Sequence, residues 1–338
     1  MSKENENNII IVDGNSIGHT AQHYQRRTFR GMDIQAISGF LEVITDVYNR
    51  HHEEYPKIIV LWDGKSKHRY EAFPDYKGTR RITPEQIEAD FKYKEQIPHI
   101  EKMLNSLGIR QYKADDYEAD DVAGFFVRKG SKDGRKILLL SNDHDWLQYI
   151  NENTAVFSPK GGNMVIRDHN NFHEYVNLTA KQFIEYKAFL GDSGDNIPGV
   201  DGIGDKIATA LLQEFHTTEN LLKMHKEDTS SAIILNNVIL KRARNKIATF
   251  CEDSSLQQKF IRNVDLMDLL NDRFDNDMGK TIKYTSPKID KQEFVEFCAD
   301  FNFGYHLKNL SRWDSFFDKA APLQEQQATQ SNRSRYRP

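Results

Sequence analysis

Cysteine is nearly absent from this sequence: two occur in 338 residues, Cys251 and Cys298. A disulfide framework and a cysteine-rich zinc site are thereby excluded, and the usage favours a reducing compartment. Long apolar runs are missing as well. No stretch approaches the roughly 18 residues that a membrane span needs. The polar start MSKENENN lacks the basic-then-apolar order of a secretory signal. The expectation is a soluble cytoplasmic protein with no membrane partner. Net positive charge is lacking too, since the formal total is −4. That total argues against a nucleic-acid partner, but the distribution overrides it. Basic residues cluster at Lys65, Lys67, His68 and Arg69, at Lys77, Arg80 and Arg81, and at Lys241, Arg242, Arg244 and Lys246. A basic rim around an acidic centre can grip phosphates. Hydrophobic content of 38% and charged content of 28% fit one large globular domain or two modest ones.

What is present centres on Leu190 to Phe215, LGDSGDNIPGVDGIGDKIATALLQEF. Asp192 and Asp195 stand three apart among glycines, where carboxylates can converge on a cation. Gly199-Val200-Asp201-Gly202-Ile203-Gly204 then leads into an apolar helical pattern at Ile207, Ala208, Leu211 and Leu212, with Lys206 in its first turn. Gly202 and Gly204 allow positive φ and close backbone approach, and the amides before the helix would point outward, which suits a phosphate. Glycine-rich turns before helices are common, so the stretch draws its weight from its surroundings.

The surroundings repeat one theme. Asn8 to Val12 reads as a buried strand ending at Asp13, and Ile34 to Tyr48 as a helix. Ile58 to Trp62 reads as a second strand ending at Asp63, which makes a βαβ unit with both acids at one sheet edge. The basic, aromatic run from Lys65 suggests a track for a single-stranded backbone, with Tyr70 or Tyr76 able to stack on bases. Thr83-Pro84-Glu85 starts a helix that is expected to break before Pro98. After a short link at Gln111-Tyr112 come Glu118, Asp120 and Asp121 at a helix start, where acids also serve the helix dipole. Lys136 to Ser141 is the next strand and delivers Asp143 and Asp145. His144 between them is read as an exposed histidine.

Nine acids thus recur at element ends: Asp13, Asp63, Glu118, Asp120, Asp121, Asp143, Asp145, Asp192 and Asp195. Oxygen-only donors select Mg²⁺ or Mn²⁺ over zinc. So many imply two ions, some carboxylates acting from behind the ligands, and an in-line phosphoryl displacement that needs no serine, cysteine or histidine nucleophile. The chemistry these residues suit is phosphodiester hydrolysis. Two other readings stay open: a catalytically silent, structure-specific DNA-binding protein, and a small-molecule phosphatase with Asp13 as nucleophile. The latter needs a second Asp at position 15, which is Asn15.

VDGNS, LWDGK, FPDYKGTR, YEADDVA, SNDHDWLQ and GDSGDNIPGVDGIGDKIATALL occur in this order. Together they resemble the 5′-nuclease (flap endonuclease) family, which includes the N-terminal domain of bacterial DNA polymerase I and stand-alone phage 5′-exonucleases. The resemblance covers roughly Ile9 to Leu266, and Phe294 to Trp313 resembles the segment that follows this domain in the polymerases. With no polymerase region after it, the chain looks most like the phage-type enzyme, in a bacterial or phage-infected cytoplasm.

The resemblance implies an α/β fold: a PIN-like parallel sheet flanked by helices over residues 1–185, with a helical arch at about 65–107. A helix–three-turn–helix and further helices would span 186–318, followed by a disordered tail over 319–338. It places Asp13, Asp63, Glu118, Asp120 and Asp121 in a first metal cluster and Asp143, Asp145, Asp192 and Asp195 in a second, leaving open which of Asp120 and Asp121 ligates directly. Lys77, Arg69 and Tyr76 match positions near the scissile phosphate, Tyr76 as a stacking group. Lys65, Arg80, Arg81, Gly199, Val200, Gly202, Ile203, Gly204 and Lys206 would contact DNA, the hairpin through a K⁺ ion. Expected partners are DNA with a 5′ flap, nick or free 5′ end, RNA–DNA hybrid, and replisome proteins such as a single-strand-binding protein, met by a monomer. Ser230 to Gln258 is expected to be helical and to extend the duplex-binding surface, and Asn271 to Asp290 has no assignment.

Overall fold

A computed structural model describes residues 5–79, 83–160 and 163–317. Its organising element is a sheet of seven strands: β1 (Ile9–Asp13), β2 (Lys57–Trp62), β3 (Arg110–Lys113), β4 (Ile137–Leu140), β5 (Thr154–Lys160), β6 (Asn163–Arg167) and β7 (Lys283–Tyr284). Their spatial order is β7-β3-β2-β1-β4-β5-β6. The inner five run parallel, while β7 and β6 close the two edges antiparallel.

β1 is buried along its whole length because both of its faces are covered. Ile10 and Val12 pack into one core with helices Gln35–His51 and Pro84–Ser106; Ile9 and Ile11 pack into a second with helix Ala119–Lys132. A β-branched run is what a doubly covered parallel strand requires, and each such buried side chain contributes about 1.5–3 kcal/mol. The register pairs Asp13 with Leu61 and Val12 with Leu140. Asp13, Asp63 and the Ser141–Asp143 turn therefore leave the sheet side by side at its C-terminal edge.

Two local readings differ from the sequence expectation. Helix Pro84–Ser106 runs unbroken through Pro98. Proline removes one helical hydrogen bond, but Ile100, Met103 and Leu104 just beyond it are fully buried, and that packing carries the helix through the gap. Gln111-Tyr112 is strand rather than link. RQYK lacks β-branched residues, and its pairing with β2, together with a Trp62 Nε1–H bond to Gln111 Oε1 at 2.9 Å, makes it a strand.

A third core belongs to the helices Phe183–Leu190, Asp205–Phe215, Thr218–Lys226, Val238–Glu252 and Ser254–Met267. The expected helical character of Ser230 to Gln258 lies within it. Residues 283–317, grouped by sequence with this helical unit, instead return to the sheet. β7 extends β3, and Phe294, Phe297, Trp313 and Phe316 enter the core that holds Ile10. The apolar stripe of helix Lys291–Asp300 finds its complement there. Among the described residues no helix is long and apolar enough to cross a membrane. Arg80, Arg81 and the tail expected at 319–338 lie outside the described residues.

Candidate active site

Asp13, Asp63, Asp120, Asp143, Asp145, Asp192 and Asp195 line one cavity of about 770 Å³ at the C-terminal edge of the sheet. Each is aimed by a backbone or side-chain donor. Asp13 accepts from Ser16 N–H at 2.9 Å and from the Ser141 hydroxyl at 2.7 Å. Asp63 accepts from Ala119 N–H at 2.9 Å, and Asp120 from Trp146 Nε1–H at 2.7 Å. Asp143 accepts from Asp145 N–H at 2.8 Å; Asp192 accepts from Gly194 N–H at 2.8 Å and Asp195 N–H at 3.1 Å.

Crowding such groups has an electrostatic consequence. Burial and the Asp63 carboxylate push Asp13 up to about 8, against its bonds from Ser16 and Ser141. Asp120 is held well above the usual carboxylate range by burial and the charge of Asp143, and Asp143 is raised by burial and its acidic neighbours Asp195 and Asp192. Hard oxygen donors whose ionisation is resisted only by burial and one another fit a divalent cation, which relieves both. Among the described residues no group of three such side chains already converges as a metal-binding set. Ammonium groups stand among them instead. Lys187 contacts Asp145 and lies 2.9 Å from Asp192 Oδ2, which outweighs burial and holds Asp192 below its ordinary value.

Glu118 and Asp121 do not line this cavity; they sit behind its wall. Arg69, 3% exposed, donates to both Asp121 oxygens at 2.8 and 2.7 Å and to Glu118 Oε2 at 3.2 Å. Burial raises Asp121, but the Arg69 guanidinium outweighs it and keeps the carboxyl below its usual range. Of the adjacent pair, Asp120 faces the cavity. Glu118 is also bound by Lys77 and by the Tyr76 hydroxyl at 2.9 Å.

Lys77 does line the cavity, on a left-handed backbone at φ +56°. Tyr76 does not offer its ring for base stacking, as the sequence suggested. The ring is 3% exposed within the third core, because its hydroxyl is drawn to Glu118 and, at 2.9 Å, to Asp195. Burial and Glu118 push that phenol far above its ordinary value, so it stays a donor. Lys65 lies over the Tyr70 ring, with its ammonium 5.5 Å from the centroid.

Beside the cavity runs a groove of about 1030 Å³ lined by Gly199 through Ile207 and, opposite, by Arg242 and Lys246. Gly202 takes up the positive φ that glycine allows, at +84°. Gly204 is extended at φ −95°, ψ 180°, as the residue preceding helix Asp205–Phe215. Sequence reasoning missed Lys187, Trp146 and Ser141 as supports of the cavity, and of these only Lys187, five residues before Asp192, carried a readable signal. Arg242 and Lys246, from the basic run KRARNK, line the groove.

A family model described as the 5′-3′ exonuclease N-terminal resolvase-like domain matches residues 8–177, and that of the 5′-3′ exonuclease C-terminal SAM fold matches 178–273. The chain belongs to the 5′-3′ exonuclease family. That family consists of 5′ nucleases, hydrolases of phosphodiester bonds. DNA polymerase I of Bacillus subtilis is 30% identical over 261 residues, which span 76% of this chain and 28% of the polymerase. The thermostable DNA polymerase I of Thermus filiformis is 31% identical over 256 residues, 75% of this chain and 28% of that protein. The chain thus spans under a third of these relatives. Among solved structures, the 5′-exonuclease of bacteriophage T5 with bound zinc ions aligns with TM-score 0.62 at 24% identity, covering 88% of this chain and 98% of that one. Flap endonuclease-1 from Methanococcus jannaschii aligns with TM-score 0.54 at 16% identity, covering 94% and 93%. This 5′-3′ exonuclease family member shares their fold: a mostly parallel sheet between helices, with a helical C-terminal unit.

Proposed function

We propose that this chain is a divalent-cation-dependent 5′ nuclease. It hydrolyses phosphodiesters at 5′ flaps, nicks and free 5′ ends of DNA, and in RNA-primed duplexes during replication. One observation carries the reading: seven carboxylates from five separate segments of the chain line a single cavity, next to a groove walled by glycine-rich backbone and basic side chains. Solved relatives support it, since one is a phage T5 flap endonuclease in complex with DNA and metal ions.

Asp13, Asp63 and Asp120 would hold one Mg²⁺ or Mn²⁺, and Asp143, Asp145, Asp192 and Asp195 a second. The ions supply Lewis acidity and a water that ionises near neutral pH. The protein does the rest. Glu118 and Asp121, clamped by Arg69, fix the helix start that presents Asp120. Lys77 stands at the cavity with a positive charge suited to the scissile phosphate, and it shares Glu118 with Tyr76. The hairpin amides, Lys206, Arg242 and Lys246 hold duplex backbone, with a K⁺ ion able to join at the hairpin carbonyls. Lys65, Arg80 and Arg81 would follow the 5′ strand. Work on a free 5′ end suits a monomer in the cytoplasm, alongside replisome proteins such as a single-strand-binding protein.

The test is a labelled duplex with a single-stranded 5′ flap, incubated in Mg²⁺, in chelator, and with an Asp192→Ala/Asp195→Ala variant. Metal-dependent cleavage near the junction, lost in the variant, is expected. A flap that binds yet stays uncut in both Mg²⁺ and Mn²⁺ would make the chain a DNA-structure binder and overturn the assignment.

A further inference from the structure

The loop carrying Asp192 and Asp195 and the hairpin that follows it share one neck. Gly191–Asp192 pairs antiparallel with Ile197–Pro198, and Val200 N–H donates to Phe189 O at 2.7 Å. Gly191 lies at φ +73°, and a Cβ there would stand 2.3 Å from Gly199 N, so the two sides of the neck meet backbone to backbone. The tip is tied as well: Lys77 N–H donates to Asp195 O at 2.9 Å and Asn196 Nδ2 to Asp75 O at 2.8 Å.

Across this neck lies Asn263, on helix Ser254–Met267 and 0% exposed. Its Nδ2 donates to Ala188 O at 3.0 Å and to Pro198 O at 2.9 Å. The first carbonyl lies in the last turn of the helix that also carries Lys187; the second immediately precedes Gly199. One amide thus ties the helix that enters the neck to the strand that leaves it, from a third element. Asn263 lines neither the acidic cavity nor the groove. A side chain that only filled space here would be apolar, since a buried amide is tolerated only where its hydrogen bonds are made.

We infer that Asn263 is a positioning residue for the reaction proposed above: it fixes the Asp192/Asp195 loop relative to the hairpin groove, so that backbone held in the groove meets those carboxylates in register. The inference rests on that proposed function. Without the staple, the Ala188 and Pro198 carbonyls lose this donor and the neck can open. The groove, built by other contacts, persists.

Asn263→Leu removes both donors at similar volume, and Asn263→Asp replaces them with acceptors at the same shape. Hydrogen exchange of residues 189–200 is measured in metal-free full-length protein, duplex affinity in chelator, and single-turnover flap cleavage in Mg²⁺ at saturating enzyme. Expected are faster exchange over 189–200 with helix Asp205–Phe215 unchanged, and affinity within about twofold. Cleavage should fall by on the order of tenfold or more, as displacement of a reacting group by about an ångström produces. Unchanged exchange, unchanged cleavage, or affinity and cleavage falling together would each overturn the inference. Should both variants fail to fold, Gly191→Ala strains the same neck from its other side. The same split is expected from it, and unchanged cleavage refutes the staple. If wild-type protein itself binds but never cleaves, the proposed function fails, and the exchange arm still reports whether Asn263 holds the neck.

Discussion

Asp13 shows how function sets the energetics of a single residue. Its carboxyl is raised to about 8 by burial and by Asp63, whereas in the unfolded chain it ionises near 4. A group raised on folding contributes stability that is complete below its unfolded value and is lost as pH climbs through its folded one. In chelator, thermal stability should therefore fall between about pH 4 and pH 8. Asp13→Asn should flatten that slope and raise the midpoint at pH 8 by a few degrees, about 2–4 °C per kcal/mol, while abolishing metal-dependent cleavage. A scanning-calorimetry series over pH checks this, and an unaltered slope in the variant would refute it. Arg69 is the opposite case. Breaking a buried ion pair by removing one partner costs about 3–5 kcal/mol, so Arg69→Ala should lower the denaturation midpoint sharply. The acids themselves were legible in sequence. Their division was not: Asp120 and Asp121 are neighbours on one helix, and only helix phase and the distant Arg69 decide which one meets the cavity.

At the scale of elements, strands that are buried on both faces announce themselves, which is why β1, β2 and β4 were readable. β3 was not, since Arg110 to Lys113 is strand by virtue of its partner rather than its composition. Helix Pro84–Ser106 taught the converse, for local proline chemistry yields to packing that no short window contains. The hairpin offers a sharp test of local conformation. Gly202→Ala forces a left-handed φ on a residue with a Cβ, at about 1–2 kcal/mol, and should weaken duplex binding. Gly204→Ala should be nearly silent, since its backbone is already extended and a Cβ there meets nothing within 4 Å. Equal effects of the two substitutions on duplex affinity would show that the glycines serve close ligand approach rather than conformation.

The whole molecule presents a charge problem that its architecture resolves by separation. Under the proposed function, a chain of net charge −4 holds a polyanion beside a cavity walled by seven carboxylates. Lys206, Arg242 and Lys246 line the groove on the helical unit, the acids lie on the sheet edge and the neck loop, and the proposed function puts the phosphate contacts on the former. Binding should then divide into two terms of opposite origin. The groove term is counterion release, which weakens with salt in proportion to the phosphates neutralised. The cavity term is repulsion, which a bound dication reverses. Arg242→Ala and Lys246→Ala should each weaken duplex binding for every sequence alike and reduce the slope of log K against log salt by about 1, leaving the metal requirement for cleavage unchanged. Removing carboxylates by Asp192→Asn/Asp195→Asn should do the reverse: tighter binding in chelator, the same salt slope, and no cleavage. A double-stranded probe titrated at four salt concentrations, with and without Mg²⁺, separates the two. Were the arginine and lysine variants to lose the metal effect instead, groove and cavity would be one electrostatic unit, and the division of labour between helical unit and sheet edge would be wrong.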